Sequence, residues 1–339
     1  MKRYTIHKQK INDLIKTLLK KYRVIAPVEK NDIILFKQIE RPDEIKLDFT
    51  NSKIPPKSIF LPQTETLFKF STDKDIKLET PKNFEETALF GIRPCDAKSL
   101  DILKNVFSDE YEDNLFLSKL KNTLFIGLTC KDPPVNCFCT SVDGSPFGTA
   151  GLDILLTDIE DKYFVEIITK KGENLLKIFK DLKPVTKKDI EKKTTIAKNA
   201  ENKIKRHMQT KNIEKILDQI FENNFWGEIA KRCVGCGICT YLCPTCHCFD
   251  IQDEKKGKHG ARIRVWDSCM YSEYTKQASG YNPRPSQMNR IRNRIYHKFN
   301  YFPKNSQVFG CVGCGRCITE CPVNIDIIET INDARQVKK

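Results

Sequence analysis

The chain has 339 residues, 40% of them hydrophobic and 30% charged, a balance that fits about two globular domains and excludes a disordered or fibrous protein. No apolar run approaches the ~20 residues needed to span a bilayer, and residues 11–22 are too broken by Asn12, Asp13, Lys16, Lys20 and Lys21 to serve as a secretory signal. A cytoplasmic location without a membrane span is therefore expected. The formal charge of +14 raises nucleic acid or an anionic membrane as a partner, but the lysines between residues 168 and 215 alternate with Asp and Glu as on a solvated surface, and no nucleic-acid partner is expected.

Ile11, Leu14, Ile15, Leu18, Leu19 and Tyr22 recur at helical spacing and predict an amphipathic helix. Short β-leaning segments follow at residues 23–28, 33–36, 89–92, 124–128, 154–156 and 163–167, separated by turn signals such as Pro55-Pro56, Pro133-Pro134 and Asp143-Gly144. Residues 1–185 thus read as one mixed α/β (or α+β) domain. Residues 186–230 shift to lysine, glutamate and asparagine. There Ile213, Ile216, Leu217, Ile220 and Phe221 mark a helical face with Asn212 at its cap, so this segment reads as a helical connector. Residues 231–339 change again, to cysteine, glycine and short turns, the composition of a helical, ferredoxin-like domain whose core is supplied by metal.

The fifteen cysteines are an odd number, which a fully paired disulfide framework cannot use, and their close spacing points to metal. Residues 233–244 read CVGCGICTYLCP and residues 311–322 read CVGCGRCITECP. Each has the spacing C-x2-C-x2-C-x3-C-P, in which three thiolates on one tight loop reach three corners of a four-iron, four-sulfur cluster while the fourth cysteine crosses to the neighbouring cluster. The expected ligand sets are Cys233, Cys236, Cys239 and Cys321 for one 4Fe-4S cluster, and Cys311, Cys314, Cys317 and Cys243 for the second. Gly237 and Gly315 are expected to let backbone amides approach the sulfurs. Structural zinc is the competing reading of four cysteines; two complete copies with the terminal Cys-Pro argue for iron.

Three further cysteines, Cys246, Cys248 and Cys269, lie in the insert between the runs and are read either as core residues or as alternative ligands. The insert also interleaves Arg284, Arg290, Arg292, Arg294 and Lys298 with Tyr281, Tyr296 and Tyr301, a mixture that can bind single strands but here flanks anionic clusters. In the first domain Cys95, Cys130, Cys137 and Cys139 could converge on a third cluster, the alternative being separate buried thiols. The glycine-rich turn at residues 143–151 matches neither the dinucleotide fingerprint nor the phosphate loop, so no nicotinamide or flavin site is expected in this chain.

FLPQTETLF at residues 60–68, GIRPCDAKSLDIL at 91–103, NCFCTSVDGSPFGTAGLDI at 136–154, CPTCHCFD at 243–250, VWDSCM at 265–270 and GCVGCGRCITECPVNID at 310–326 together resemble the iron-sulfur β subunit of cytoplasmic nickel-iron hydrogenases and sulfhydrogenases. That family includes the corresponding iron-sulfur subunit of the anaerobic sulfite reductase. The resemblance implies a non-catalytic electron-transfer subunit. It would sit between an FAD-containing subunit that exchanges electrons with NAD(P)H and a catalytic subunit, either a nickel-iron hydrogenase or a sirohaem sulfite reductase. Arg93-Pro94-Cys95-Asp96 leans toward the hydrogenase branch. A stand-alone polyferredoxin and a zinc-dependent nucleic-acid binder are the readings from other classes.

Overall fold

The computed structural model describes residues 2–72, 75–81 and 84–337. An eight-stranded sheet forms the body of the first half. Its strands are β1 (Lys2–His7), β2 (Arg23–Lys30), β3 (Ile33–Gln38), β6 (Thr87–Ile92), β7 (Thr123–Leu128), β8 (Ile154–Asp158), β9 (Lys162–Ile167) and β10 (Lys183–Pro184), in the order β10-β1-β9-β8-β7-β6-β2-β3. The central strands β2, β6, β7 and β8 run parallel. β6 (TALFGI) and β7 (TLFIGL) are buried at every position, as parallel strands covered on both faces must be. Their side chains alternate between two cores. Phe90 and Ile126 face Leu14, Ile15 and Leu18 of the helix Ile11–Leu19, whereas Leu89 and Phe125 face Leu100, Leu103 and Phe107 of the helix Pro94–Phe107.

The amphipathic helix and the six β-leaning segments expected from the sequence all appear, with β1 and β10 added at one edge. Asn212 does precede the helix Ile213–Gln219, but it stands in the left-handed region (φ 56°) and its side chain makes no capping bond. The connector's longer helix, Lys187–Lys203, is instead fixed by a reciprocal cap between Thr186 and Asp189. Among the described residues no helix is long and apolar enough to cross a membrane.

A second sheet was not evident from the residue pattern. The strands β4 (Thr64–Thr72), β5 (Ile76–Glu79), β11 (Phe249–Lys256) and β12 (His259–Trp266) are ordered β11-β12-β4-β5, so a hairpin from the insert pairs with a strand from the first half. Buried Arg264 of β12 forms ion pairs with Glu65 and Asp113 at this junction. The helical part has its own core, built on Leu217, Trp226, Ile291, Ile295, Phe299 and Ile331.

A buried ion pair locks the ferredoxin-like part onto the α/β part. Arg316 donates to both carboxylate oxygens of Asp96, at 2.6 and 2.8 Å, and to the Ser52 carbonyl at 2.9 Å. Removing one member of such a pair leaves the other buried and uncompensated, which costs about 3–5 kcal/mol. Asp96→Ala is therefore expected to lower the urea midpoint by that equivalent, whereas Lys231→Ala at the exposed Glu228 pair should stay within about 1 kcal/mol of the parent.

Candidate iron-sulfur centres

Both cysteine runs fold the same way. In each, a loop carries the first two cysteines, a glycine in the left-handed region (Gly237, φ 75°; Gly315, φ 76°) caps a short helix, and the third cysteine rides on that helix. Backbone amides meet sulfur in both runs: Gly235 N–H donates to Cys233 Sγ and Gly313 N–H to Cys311 Sγ, both at 3.4 Å, and Ile325 N–H donates to Cys321 Sγ at 3.2 Å. Gly237 and Gly315, in the left-handed region, turn the chain into the helix that carries the third cysteine.

The thiols gather in two sets. Cys233, Cys236 and Cys239 line one cavity together with Cys321 from the other run, walled by Met270, Ile291, Ile295 and Ile325. Cys243 lies among Cys311, Cys314 and Cys317, close enough to oppose the ionisation of each of them. Cys317 borders the first cavity too, so the sets abut. Among the described residues no three Cys, His, Asp or Glu side chains are placed to hold a single metal ion; the thiols of the first set stand around a cavity, as the corners of a multi-iron cluster require.

The first-domain cysteines are also brought together. Cys95 sits in the first turn of the helix after β6 and Cys130 lies two residues beyond β7, so both leave the carboxyl ends of adjacent parallel strands. Cys137 hydrogen-bonds to Cys139 and lies near both Cys95 and Cys130. Their loop rests on the second cysteine run: Phe138 N–H donates to the Gly313 carbonyl at 2.9 Å, and a Cβ on Gly313 would stand 2.6 Å from the Cys139 Cα. Cys95 also neighbours Cys314. The insert cysteines form a further group, with Cys246 against Cys243 and Cys248 against Cys269.

Burial raises Cys130 to about 11 and Cys314 to about 12, so a free chain would hold those two protonated. Yet the same interior contains cations. Lys298 Nζ donates to Cys243 Sγ at 3.2 Å and to the Gly310 carbonyl at 2.8 Å. Burial opposes the charge of Arg294, but Cys239, Cys317, Cys246 and Cys243 outweigh it and raise the guanidinium well above its ordinary value. Its Nη1 makes no hydrogen bond. Buried Lys57 donates to the Cys246 carbonyl at 2.7 Å and packs over Trp266. Arg93 donates to the Thr129 carbonyl and stacks on Phe49, close to Cys130 and Cys95. None of these four cations has a carboxylate within ion-pair distance among the described residues; burial lowers Lys57 and Arg93, with Asp96 and Asp48 acting on Arg93 from farther off, and a buried charge is costly unless it is compensated. Thiolate-ligated clusters, which carry net negative charge, satisfy that requirement, so the residues fit the group.

Of the residues in this environment, Arg294 and Lys298 were expected from the sequence to flank the clusters, whereas Gln287 was not singled out, although the spacing of the three carries the signal. Gln287, Arg294 and Lys298 are separated by seven and four positions, one helical stripe. Along it Gln287 Nε2 donates to Cys233 Sγ at 3.0 Å, Arg294 faces thiols of both sets, and Lys298 reaches Cys243 from a π-helical turn, His297–Tyr301.

The sequence pattern of the 4Fe-4S dicluster domain family matches residues 232–325. Sulfhydrogenase 2 subunit beta of Pyrococcus furiosus is 30% identical over 341 residues, covering 99% of each chain. No solved structure matches. With the dicluster pattern on its paired thiol sets and a full-length relative of this kind, the chain belongs to the sulfhydrogenase β-subunit family, as an iron-sulfur electron-transfer subunit.

Proposed function

We propose that this chain relays electrons between an FAD- and NAD(P)H-using subunit and a nickel-iron catalytic subunit of the sulfhydrogenase type. The observation that carries the reading is the row of abutting thiol sets, which runs from exposed Cys236 to the first-domain group beside exposed Val135. Cys233, Cys236, Cys239 and Cys321 hold one 4Fe-4S cluster, Cys311, Cys314, Cys317 and Cys243 a second, and Cys95, Cys130, Cys137 and Cys139 a third. The name of the Pyrococcus relative favours the hydrogenase branch over a sulfite reductase. In this reading residues 1–185, 186–230 and 231–339 are the α/β part, the connector and the dicluster part of one working unit.

Iron-sulfur clusters supply one-electron oxidation and reduction with no proton chemistry asked of the polypeptide. The chain's residues do the rest. Met270, Ile291 and Ile295 keep water from the first cavity, the Gly235 and Gly313 amides and Gln287 donate to sulfur, and Arg294 and Lys298 place positive charge beside the thiols. Each of these donors and charges favours the more negative, reduced form and so raises the reduction potential. Val234 and Cys236 at one end, and Val135 at the other, are exposed surfaces against which two partners can dock close to a thiol set.

Cys236→Ser or Cys314→Ser is expected to remove or convert one cluster and leave the signal of the other in electron paramagnetic resonance. Tight zinc without iron or sulfide in the anaerobically reconstituted chain would defeat the reading. Arg294→Met should lower the midpoint potentials of both paired clusters by about 60 mV, the one-electron equivalent of ~1.4 kcal/mol, in a redox titration followed by the same spectroscopy. A shift in neither cluster would show that the guanidinium does not act on them. Cys95→Ser with Cys130→Ser in the full chain should cost about four irons with the paired signals intact; an unchanged iron count would reduce the first-domain thiols to structural residues.

A further inference from the structure

The insert cysteines remain unused by the relay just described. Cys243, Cys246 and Cys248 follow one another in CPTCHC. Cys243 is committed to the set of Cys311, Cys314 and Cys317, whose thiols it neighbours. Cys246 and Cys248 lie just before β11, and Cys269 lies three residues after β12. The hairpin closes this loop at its base, where Phe249 pairs with Trp266 and Asp267 N–H donates to the Cys248 carbonyl at 3.0 Å. Cys248 and Cys269 therefore meet through backbone pairing, and Cys246 stands beside both.

The surroundings resemble a built site more than an apolar core. Lys57 reaches in from the first half and donates to the Cys246 carbonyl; burial pushes its ammonium below the ordinary value, and Cys246 is the neighbour that most opposes that shift. Lys298 also senses Cys246. Ser268, next to Cys269, exchanges a hydrogen bond with Thr240 at 2.8 Å and accepts one from Met270 N–H at 3.1 Å, which fixes the turn bearing Cys269. The hydroxyl of Tyr274 hydrogen-bonds to Cys248. Inert buried thiols would need no cation brought beside them at the cost of desolvation.

We propose that Cys246, Cys248 and Cys269 bind an additional iron-sulfur cluster through three thiolates. The inference rests on the iron-sulfur reading of the domain and adds a site outside the two cysteine runs. Three thiolates suit a three-iron, four-sulfur cluster, or a four-iron cluster whose remaining corner takes a non-cysteine ligand such as Tyr274. Binding makes three Fe–S(Cys) bonds, with sulfide and ferric iron for the three-iron form or equal ferric and ferrous iron for the four-iron form supplied in the loading mixture; the protons the thiols still hold go to solvent, and no oxidation state changes in the protein. Lys57 and Lys298 offset the negative charge that results.

The test compares the anaerobically loaded full chain with Cys248→Ser/Cys269→Ser. Iron should fall by about three or four per chain, with sulfide in parallel, while the two resonances assigned through Cys236→Ser and Cys314→Ser persist. Loss of a signal present in the oxidised sample identifies the three-iron form, and loss of one present only after dithionite the four-iron form. An unchanged iron content, or a Cys248–Cys269 disulfide in the non-reduced peptide map of the loaded chain, overturns the proposal. Should the double variant not fold, native mass spectrometry of the Cys95→Ser/Cys130→Ser chain decides: a mass excess of two clusters refutes the site, and a larger excess supports it. A parent chain that takes up no iron at all fails the electron-relay reading itself.

Discussion

Positive charge buried among thiols is the constraint on which the rest of the structure depends. Lys57, Arg93 and the Arg294–Lys298 pair come from three separate stretches of sequence, and each ends beside cysteine with no carboxylate at ion-pair distance among the described residues. Leaving such a charge unpaired costs several kcal/mol, comparable to much of the net stability of a domain. The folded arrangement is therefore coherent only with anions in the middle of it. Clusters on these thiols would supply the opposite charge, and at Cys233 they would fill the cavity walled by Met270, Ile291 and Ile295.

The α/β half takes part in the same arrangement. Its central strands deliver Cys95 and Cys130 at neighbouring carboxyl ends, where a parallel sheet leaves a crevice. The loop carrying Cys137 and Cys139 then lies so close to the second cysteine run that only glycine fits at position 313. Arg316 fastens that run to Asp96, one residue beyond Cys95. A first-domain thiol and a dicluster thiol are thereby held at fixed separation by backbone contact and a bidentate ion pair. Electron transfer requires such rigidity, because the rate falls steeply with distance.

Much of this was legible in the sequence. The helix at residues 11–19 and the buried strands declare themselves through periodicity, since each must hide an apolar face. The two cysteine runs declare themselves because a cluster fixes the spacing of its ligands. The hairpin of β11 and β12 was not legible: the eight residues of β11 are rich in Asp, Glu and Lys, and the pairing of β12 with β4 depends on Arg264 finding Glu65 almost two hundred positions away. The buried stripe of Gln287, Arg294 and Lys298 was hidden for a related reason. Charged residues at helical spacing normally mark a solvated face, and only an internal anion turns that pattern inward.

The net charge can be reconsidered in the same terms. A formal +14 invites a search for a polyanionic partner outside the molecule. Four of the cations behind that figure, Lys57, Arg93, Arg294 and Lys298, are interior and face thiols, so they compensate cofactor charge and contribute little to the outer field. The basic and aromatic stretch of the insert, which could be taken for a nucleic-acid surface, shows the same inversion: Arg290, Arg292, Arg294 and Lys298 are all buried. Arg292 stacks on Phe221 and pairs with Glu222, Arg290 caps the preceding turn through the Arg284 and Pro285 carbonyls, and the remaining two attend the cysteines. A cluster protein must import counter-charge for every cofactor it buries, and in this chain that demand accounts for basic residues that composition alone would assign to its surface.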